Sequence, residues 1–330
     1  MNNRRKLLVA LGASVIAAPH ATFAQQLGRV WRVGFLALRG RPDSLDSGNQ
    51  GAFRQGMREL GYVDGGNLVI EWRFAEERPV RLTDLAAELI LGKVDVIVTT
   101  SAPTTQAAQK ATANIPIVMG ATGDPVNSGF VKSLARPGGN ITGLSTITAD
   151  LGPKYMEMLL SMVPKLSRVA VLWEPATAIS TLAWKEIQLP ARQLGIELYS
   201  LEILTANDLD KAFEAAIRVR AGALAIMPSP VFTANLKQIA NHAVKSHLPS
   251  IYNVGDFADA GGLVTYGPNR ADLFRRAATY VDKILKGAKP GDLPIEQPTK
   301  FDLVVNVKTA KAIDITIPGA ILLQATKVIQ

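Results

Sequence analysis

The chain has 330 residues, 48% of them hydrophobic and 19% charged. That is apolar material for about two domains and too little charge for a disordered chain. It holds no cysteine and only three histidines, His20, His242 and His247, which excludes disulfides, thiol catalysis, cysteine-ligated zinc and an acylated N-terminal cysteine, and leaves a metal cluster or a histidine triad almost no material. The formal charge is +8, but Arg4, Arg5 and Lys6 carry three of the 36 basic residues and the rest are scattered, which argues against a nucleic-acid partner.

Residues 1–24 read as an export signal. Met1–Lys6 is basic, and Leu7–Ala18 is an apolar run too short for a bilayer of about 30 Å at 1.5 Å per residue. Thr22-Phe23-Ala24 offers a cleavage site before Gln25. Arg4-Arg5 leaves both the Sec and the twin-arginine route open. The expected location is a periplasm.

From residue 30 the chain alternates apolar runs with amphipathic stretches. Val33–Leu38 reads as a strand. Phe53, Met57 and Leu60 lie on one helical face, closed by Gly61. Strands are expected at Leu68–Phe74, Val94–Thr99, Ile115–Met119 and Ile141–Ser145. Helices are expected around Leu82–Ile90, Pro103–Ala113 and Val126–Leu134. A second series follows with helices through Tyr155–Met162, Ser180–Leu194, Leu209–Val219 and Ala234–Lys245. Its strands are Val169–Trp173, Ile196–Leu201, Ala223–Met227 and Pro249–Tyr252. The tail has a strand at Leu263–Tyr266, a helix at Ala271–Leu285, a Pro/Gly-rich connection, a strand at Phe301–Val305 and a short helix near Lys308–Ile313. Such alternation means parallel sheets with helical crossovers, and two series mean two α/β lobes. The tail is too short for a third domain and reads as the chain crossing back to complete both lobes.

In open α/β sheets ligands bind beyond the carboxyl ends of the strands, so those loops carry the functional expectations. Leu38-Arg39-Gly40-Arg41 follows the first strand without a G-x-G-x-x-G fingerprint, and no phosphate-binding G-x-x-x-x-G-K-[ST] occurs anywhere, so no nucleotide cofactor is expected. Thr99-Thr100-Ser101-Ala102-Pro103-Thr104-Thr105 sets hydroxyls at a helix start, where Thr100 or Ser101 suits a carboxylate or merely caps the helix. Gly120-Ala121-Thr122-Gly123-Asp124-Pro125 gives Asp124 either a ligand ammonium or a turn to cap. Trp173 and Tyr252 end strands of the second series and suit an apolar ligand part or lobe packing. Glu174, Ser229 and Asp256 are polar neighbours on the same loops. His242 and His247 flank a helix C-terminus, where a histidine complements the dipole. No nucleophile–base pair stands at a strand end, so neither catalysis nor a metal is expected.

The chain resembles the periplasmic substrate-binding proteins of ABC transporters, in particular the tryptophan/tyrosine-type group. The resemblance rests on the Arg-rich signal, Val33–Leu38, Gly61-Tyr62-Val63-Asp64-Gly65-Gly66-Asn67-Leu68, Gly120–Gly129 and Arg136-Pro137-Gly138-Gly139-Asn140-Ile141-Thr142-Gly143. Ala260-Gly261-Gly262-Leu263, Tyr266-Gly267 and Leu303–Ala312 extend it. It implies a type I binding-protein fold: two Rossmann-like lobes with parallel sheets, joined by a three-crossover hinge, with the ligand between them. Lobe one is expected at 29–145 plus 264–296, and lobe two at 146–263 plus 297–330. Hinges are expected near Ser145–Thr148, Leu263–Gly267 and Pro298–Phe301. Placement on the loops would have Leu38, Thr100, Ser101, Thr122 and Asp124 meet the ligand from lobe one. Trp173, Ser229, Tyr252 and Asp256 would close from lobe two. The implied partners are a small-molecule ligand, first an amino acid or other small carboxylate, and an inner-membrane permease; the protein itself is expected to be a monomer. A periplasmic sensor is the alternative, and a carboxylate-only enzyme a more distant one.

Overall fold

The structure is a computed structural model that describes residues 29–146 and 151–330. The expected export signal and the end of the first expected hinge lie outside these residues. The chain opens with β1 (Trp31–Ala37), α1 (Gly48–Glu59), β2 (Leu68–Phe74), α2 (Leu82–Leu91), β3 (Val96–Thr99), α3 (Ala102–Ala111), β4 (Ile117–Thr122) and β5 (Ile141–Ser145). These strands form one parallel sheet in the order β2-β1-β3-β4-β5. Buried on both faces, β1, β3 and β4 read as unbroken apolar runs rather than alternating ones.

The second series comprises α4 (Leu151–Met162), β6 (Arg168–Trp173), α5 (Ala178–Gln193), β7 (Glu197–Glu202), α6 (Leu209–Arg218), β8 (Ala223–Ile226), α7 (Pro230–Ala234), α8 (Leu236–Lys245), β9 (Ser250–Tyr252), α9 (Asp256–Asp259) and β10 (Val264–Pro268). The tail adds α10 (Arg270–Leu285), β11 (Phe301–Asn306), α11 (Val307–Ala312), α12 (Gly319–Gln324) and β12 (Lys327–Ile329). The second sheet runs β12-β11-β10-β9-β8-β6-β7, parallel except where β10 meets β11. The fold is therefore α/β with two lobes and mostly parallel sheets.

The tail interleaves the lobes. Helix α10 belongs to lobe one: Phe274, Ala277, Ala278 and Val281 join Phe35, Phe53 and Met57 in one core. Gly56 lets α1 approach it, since an added Cβ would lie 2.5 Å from Arg275 O and 2.8 Å from Ala278 Cβ. The stretch after α10 then lies against β5, with Ser145 N donating to Glu296 O at 2.9 Å and Glu296 N to Gly143 O at 3.1 Å. Beyond Pro298 the chain re-enters lobe two as β11.

Two expectations change. The strand expected at Leu263–Tyr266, and with it the start of lobe one's second segment at 264, belongs instead to the second sheet. As β10 it pairs with β9 and β11 through Pro268, so the crossing falls between Pro268 and Arg270. No helix forms at Val126–Leu134: the segment is a chain of turns around Gly129, whose φ is +72°. Phe130 and Val131 are its adjacent buried apolar residues, so no helical stripe holds it.

Candidate functional site

The carboxyl ends of β1, β3 and β4 and those of β6, β8 and β9 face one another across the interlobe cleft, beside the crossings. Contacts among the described residues join the rims. Arg39, after β1, forms an ion pair with Asp256 at the start of α9. Gly123, after β4, lies against Ile179 of α5, where a Cβ would sit 2.8 Å from Ile179 Cδ1. Behind this contact a recess of about 30 Å³, lined in part by Thr146, Tyr155, Ile179 and Met227, has room for roughly one water. A wider groove of about 560 Å³ opens on lobe two between Thr233 and Gln238 on one side and Asp256 and Asp259 on the other.

The hydroxyl-rich loop of lobe one is largely occupied with itself. Thr104 Oγ1 accepts from the backbone N–H groups of Thr100 at 3.0 Å and Ser101 at 2.9 Å and donates to Ser101 O at 2.8 Å. Thr105 Oγ1 donates to Ser101 O at 2.9 Å and lies 2.8 Å from Thr99 Oγ1 and 3.2 Å from Thr122 Oγ1. This lattice is buried and builds the start of α3 as a capping box. Thr122 therefore enters the structure as part of the lattice. Asp124, also buried, accepts from the backbone N–H groups of Val126 at 3.1 Å and Asn127 at 3.0 Å and from the Asn127 amide. Its carboxylate holds the turn. Thr100 and Ser101 stay partly exposed at the loop's edge. Leu38 packs partly buried against the α2/α3 side of its sheet.

Lobe two presents a different set. Trp173 is a core residue: its ring stacks on Trp184 at 5.6 Å and its Nε1 donates to Ser200 Oγ at 2.8 Å. Ser229 caps α7 by accepting from Phe232 N at 3.4 Å and donates its own proton to the buried Glu174 carboxylate. Tyr252 is fully buried edge-on to Phe257, with its hydroxyl 3.2 Å from Thr233 Oγ1. Burial pushes its ionisation up to about 12. Asn253, the next residue, has a buried side-chain oxygen that accepts no hydrogen bond among the described residues.

Arg270, the first residue of α10, brings the crossing into the site. Its Nη2 donates to Thr100 O at 3.3 Å, and its guanidinium lies 5.9 Å from the Phe274 ring centroid. No carboxylate pairs with it among the described residues. Burial first, and then the like charge of Arg39, lower its pKa to about 10, while Asp256 opposes that shift. Arg39, Asn253 and Arg270 were not among the residues singled out from sequence. The first two lay inside loops already marked. The third reads as an ordinary helix residue until β10 is known to end beside it.

Among the described residues no cluster of His, Asp or Glu could hold a metal ion, and no helix is long and apolar enough to cross a membrane. The described cleft edges bring together the Arg39–Asp256 ion pair and the Arg270 guanidinium beside Thr100.

Comparison with known proteins agrees. The chain is 27% identical over 283 residues, 86% of its length and 80% of the relative's, to a tyrosine-binding protein of Clostridioides difficile. The structure of an ABC domain in complex with L-Trp from Streptococcus pneumonia superimposes with a TM-score of 0.81 at 24% identity, covering 91% of this chain and 100% of that one. The ligand-free, open structure of a substrate-binding protein with adhesive properties from Clostridium difficile gives 0.71 at 24% identity and the same coverage. These relatives are substrate-binding proteins, not enzymes. The model of the ABC transporter substrate binding protein family matches residues 41–329, and the chain belongs to that family.

Proposed function

We propose that the chain is the solute-binding component of an ABC importer and takes an amino acid, an aromatic one first, in the cleft between its lobes. The observation that carries this is the meeting of strand-end rims, joined by Arg39 and Asp256 and fed by the unpaired Arg270, on a chain 27% identical to a tyrosine-binding protein. Ligand would settle first on one lobe. Rotation about the three crossings would then bring the second lobe's groups onto it and exclude water. The arrangement described here superimposes better on the L-Trp complex than on the open ligand-free structure, 0.81 against 0.71 at equal identity. Ligand shifts that equilibrium only by its differential affinity for the closed state. Substrate-binding proteins of ABC transporters are extracytoplasmic, which agrees with the export signal read in residues 1–24. A monomer delivering to a membrane permease completes the reading.

Of the residues first expected at the ligand, Thr100, Ser101 and Asp256 keep side chains at the cleft edge and are proposed contacts. Leu38, Thr122, Asp124, Trp173, Ser229 and Tyr252 would shape the walls behind them. The test is a thermal-shift and calorimetric screen of the mature chain, refolded to strip carried-over solute, against amino acids, other carboxylates, sugars and purines. A ligand at 100 times its dissociation constant should stabilise the fold by about 2.7 kcal/mol. Stabilisation by an amino acid, with compaction in small-angle scattering, is the expected result. A sugar or purine hit with silence from every amino acid would sink the ligand assignment.

A further inference from the structure

We infer that Arg270 is the receptor for a carboxylate on the ligand and that Asn253 Oδ1 accepts from the ligand's ammonium, so that the cleft selects a zwitterion by both of its charges. The inference rests on the reading of the chain as a solute-binding protein and goes beyond it in assigning the two charge receptors.

Arg270 is the cation in the cleft that lacks a counter-charge. Three charged groups meet here: Arg39, Asp256 and Arg270. Arg39 holds Asp256 and the buried Glu174 carboxylate near Tyr252 takes the Ser229 hydroxyl, so among the described residues no acid pairs with Arg270. A guanidinium has five N–H donors in a planar fork, and its one hydrogen bond to a described residue goes to Thr100 O at 3.3 Å. Arg270 is only partly exposed; holding a charge partly out of water without a partner is costly, and an anion supplied from outside offsets the cost. The fork matches the two oxygens of a carboxylate better than any uncharged acceptor. A purely structural arginine would be expected to pair with an acid of its own chain, as Arg275 does with Glu59 at 2.8 Å on the same helix.

Asn253 supplies the opposite deficiency. Its buried Oδ1 lacks a donor among the described residues, and leaving such an acceptor empty is unfavourable. Its own carbonyl packs against Gly267, three residues before Arg270. Three residues of backbone span at most about 10 Å, so the backbone of Arg270 starts within that reach of the Asn253 carbonyl. An α-amino acid carries its ammonium and carboxylate on one carbon and offers a group to each.

The experiment is isothermal titration of the refolded, ligand-stripped mature chain. The titrants are L-tyrosine and L-tryptophan, their amides, tyramine and tryptamine, and the matching acids that lack an amine. The variants are R270Q, R270K and the control R275Q, each checked by circular dichroism and thermal melting. Wild type should prefer each acid to its amide by at least about 30-fold. R270Q should lose roughly 30- to 1000-fold for the acid, as removal of one partner of a buried charge pair does, and little for the amide. R270K should recover part of the loss, and R275Q should match wild type. If R270Q does not fold, the acid-to-amide preference of wild type and R270K decides. A folded R270Q with acid affinity within about threefold of wild type overturns the inference while leaving an amino-acid-binding protein standing. Amides or amines bound as well as acids, or a panel in which no carboxylate binds, also overturn it. Acids that bind equally well without an amine, with a full loss in R270Q, would support Arg270 while removing both Asn253's role and the amino-acid assignment.

Discussion

The two rims of the cleft treat their polar groups in opposite ways. In lobe one the hydroxyls of Thr99, Thr104, Thr105 and Thr122 satisfy one another and the start of α3, and Asp124 spends its carboxylate on a turn. In lobe two and the crossing beside it, Asn253 Oδ1 is left without a donor and Arg270 without an acid. Both rims are polar, and both looked like ligand sites from their composition. A satisfied group contributes stability, whereas an unsatisfied one costs stability and is retained where an outside partner completes it. Mutations on the two rims should therefore separate cleanly into stability effects and affinity effects.

The largest effect is expected within the lobe-two rim, beside the crossing. Gly267 lies against Asn253 O so closely that a methyl group cannot enter without moving β9 or β10. Backbone cannot swing aside as a flexible side chain does, so Gly267→Ala should cost about 2–3 kcal/mol and also displace Asn253. Chemical denaturation should show the loss, and titration a fall in affinity. Normal stability would mean that the approach relaxes freely and that Asn253 is not held by it.

The next pair sets one rim against the other. Thr105→Val leaves the shape and removes the hydroxyl that joins Thr99, Thr122 and Ser101. It should cost roughly 1–3 kcal/mol and leave affinity within about twofold in the folded protein. Asn253→Ala should do the reverse. Stability should hold or rise slightly, because an empty acceptor is gone. Affinity for an amino acid should fall about tenfold, as expected for one hydrogen bond to a charged group. Denaturation and calorimetry on the same two variants check both halves, and a Thr105→Val that binds poorly but folds normally would break the contrast. Asp124→Ala belongs with the stability set at about 1 kcal/mol, the usual worth of a carboxylate that caps backbone N–H groups.

Most of the framework could be read from the residues because alternation is local. The runs Val33–Leu38 and Leu68–Phe74 and the helical stripe of α10 declare themselves within a few residues, and a tail too short for a domain implied the return crossings. Sheet membership is not local. Leu263–Tyr266 has the same apolar run in either lobe, and it is the antiparallel partner β11, some forty residues on, that assigns it. The short elements α9, α12 and β12 hold too few residues to show a period. The site divided along the same line. Composition marked the loops after β1, β3, β4, β6, β8 and β9, yet whether a polar group in them is spent or spare depends on neighbours distant in sequence. Trp173 shows this: a tryptophan at a strand end looked available until Trp184 and Ser200 were found holding it. Arg270 shows the converse, since only the crossing turns a helix residue into a cleft residue.

The smallest effect concerns the contact that joins the rims. Arg39 and Asp256 are each about half exposed, with side-chain exposures of 50% and 51%, so water and salt weaken their attraction. The pair spans the lobes and exists only when they are together, so its contribution goes to the closed state and not to the stability of either lobe. Arg39→Ala should therefore leave the melting temperature of the ligand-free protein unchanged and lower ligand affinity about two- to fivefold at low ionic strength. The difference from wild type should shrink as salt rises, because the Debye length falls to about 3 Å at 1 M. Asp256→Ala adds a second consequence. It removes the acid near Arg270 as well as Arg39's partner, leaving two cations facing the ligand. For an acid ligand that extra attraction offsets the lost closure contact, so Asp256→Ala should weaken binding less than Arg39→Ala does. Calorimetric titrations of both variants and the double variant across a salt series measure this directly. Equal losses in the two single variants would mean that the pair acts only as a clasp and that the ligand's charge is read elsewhere.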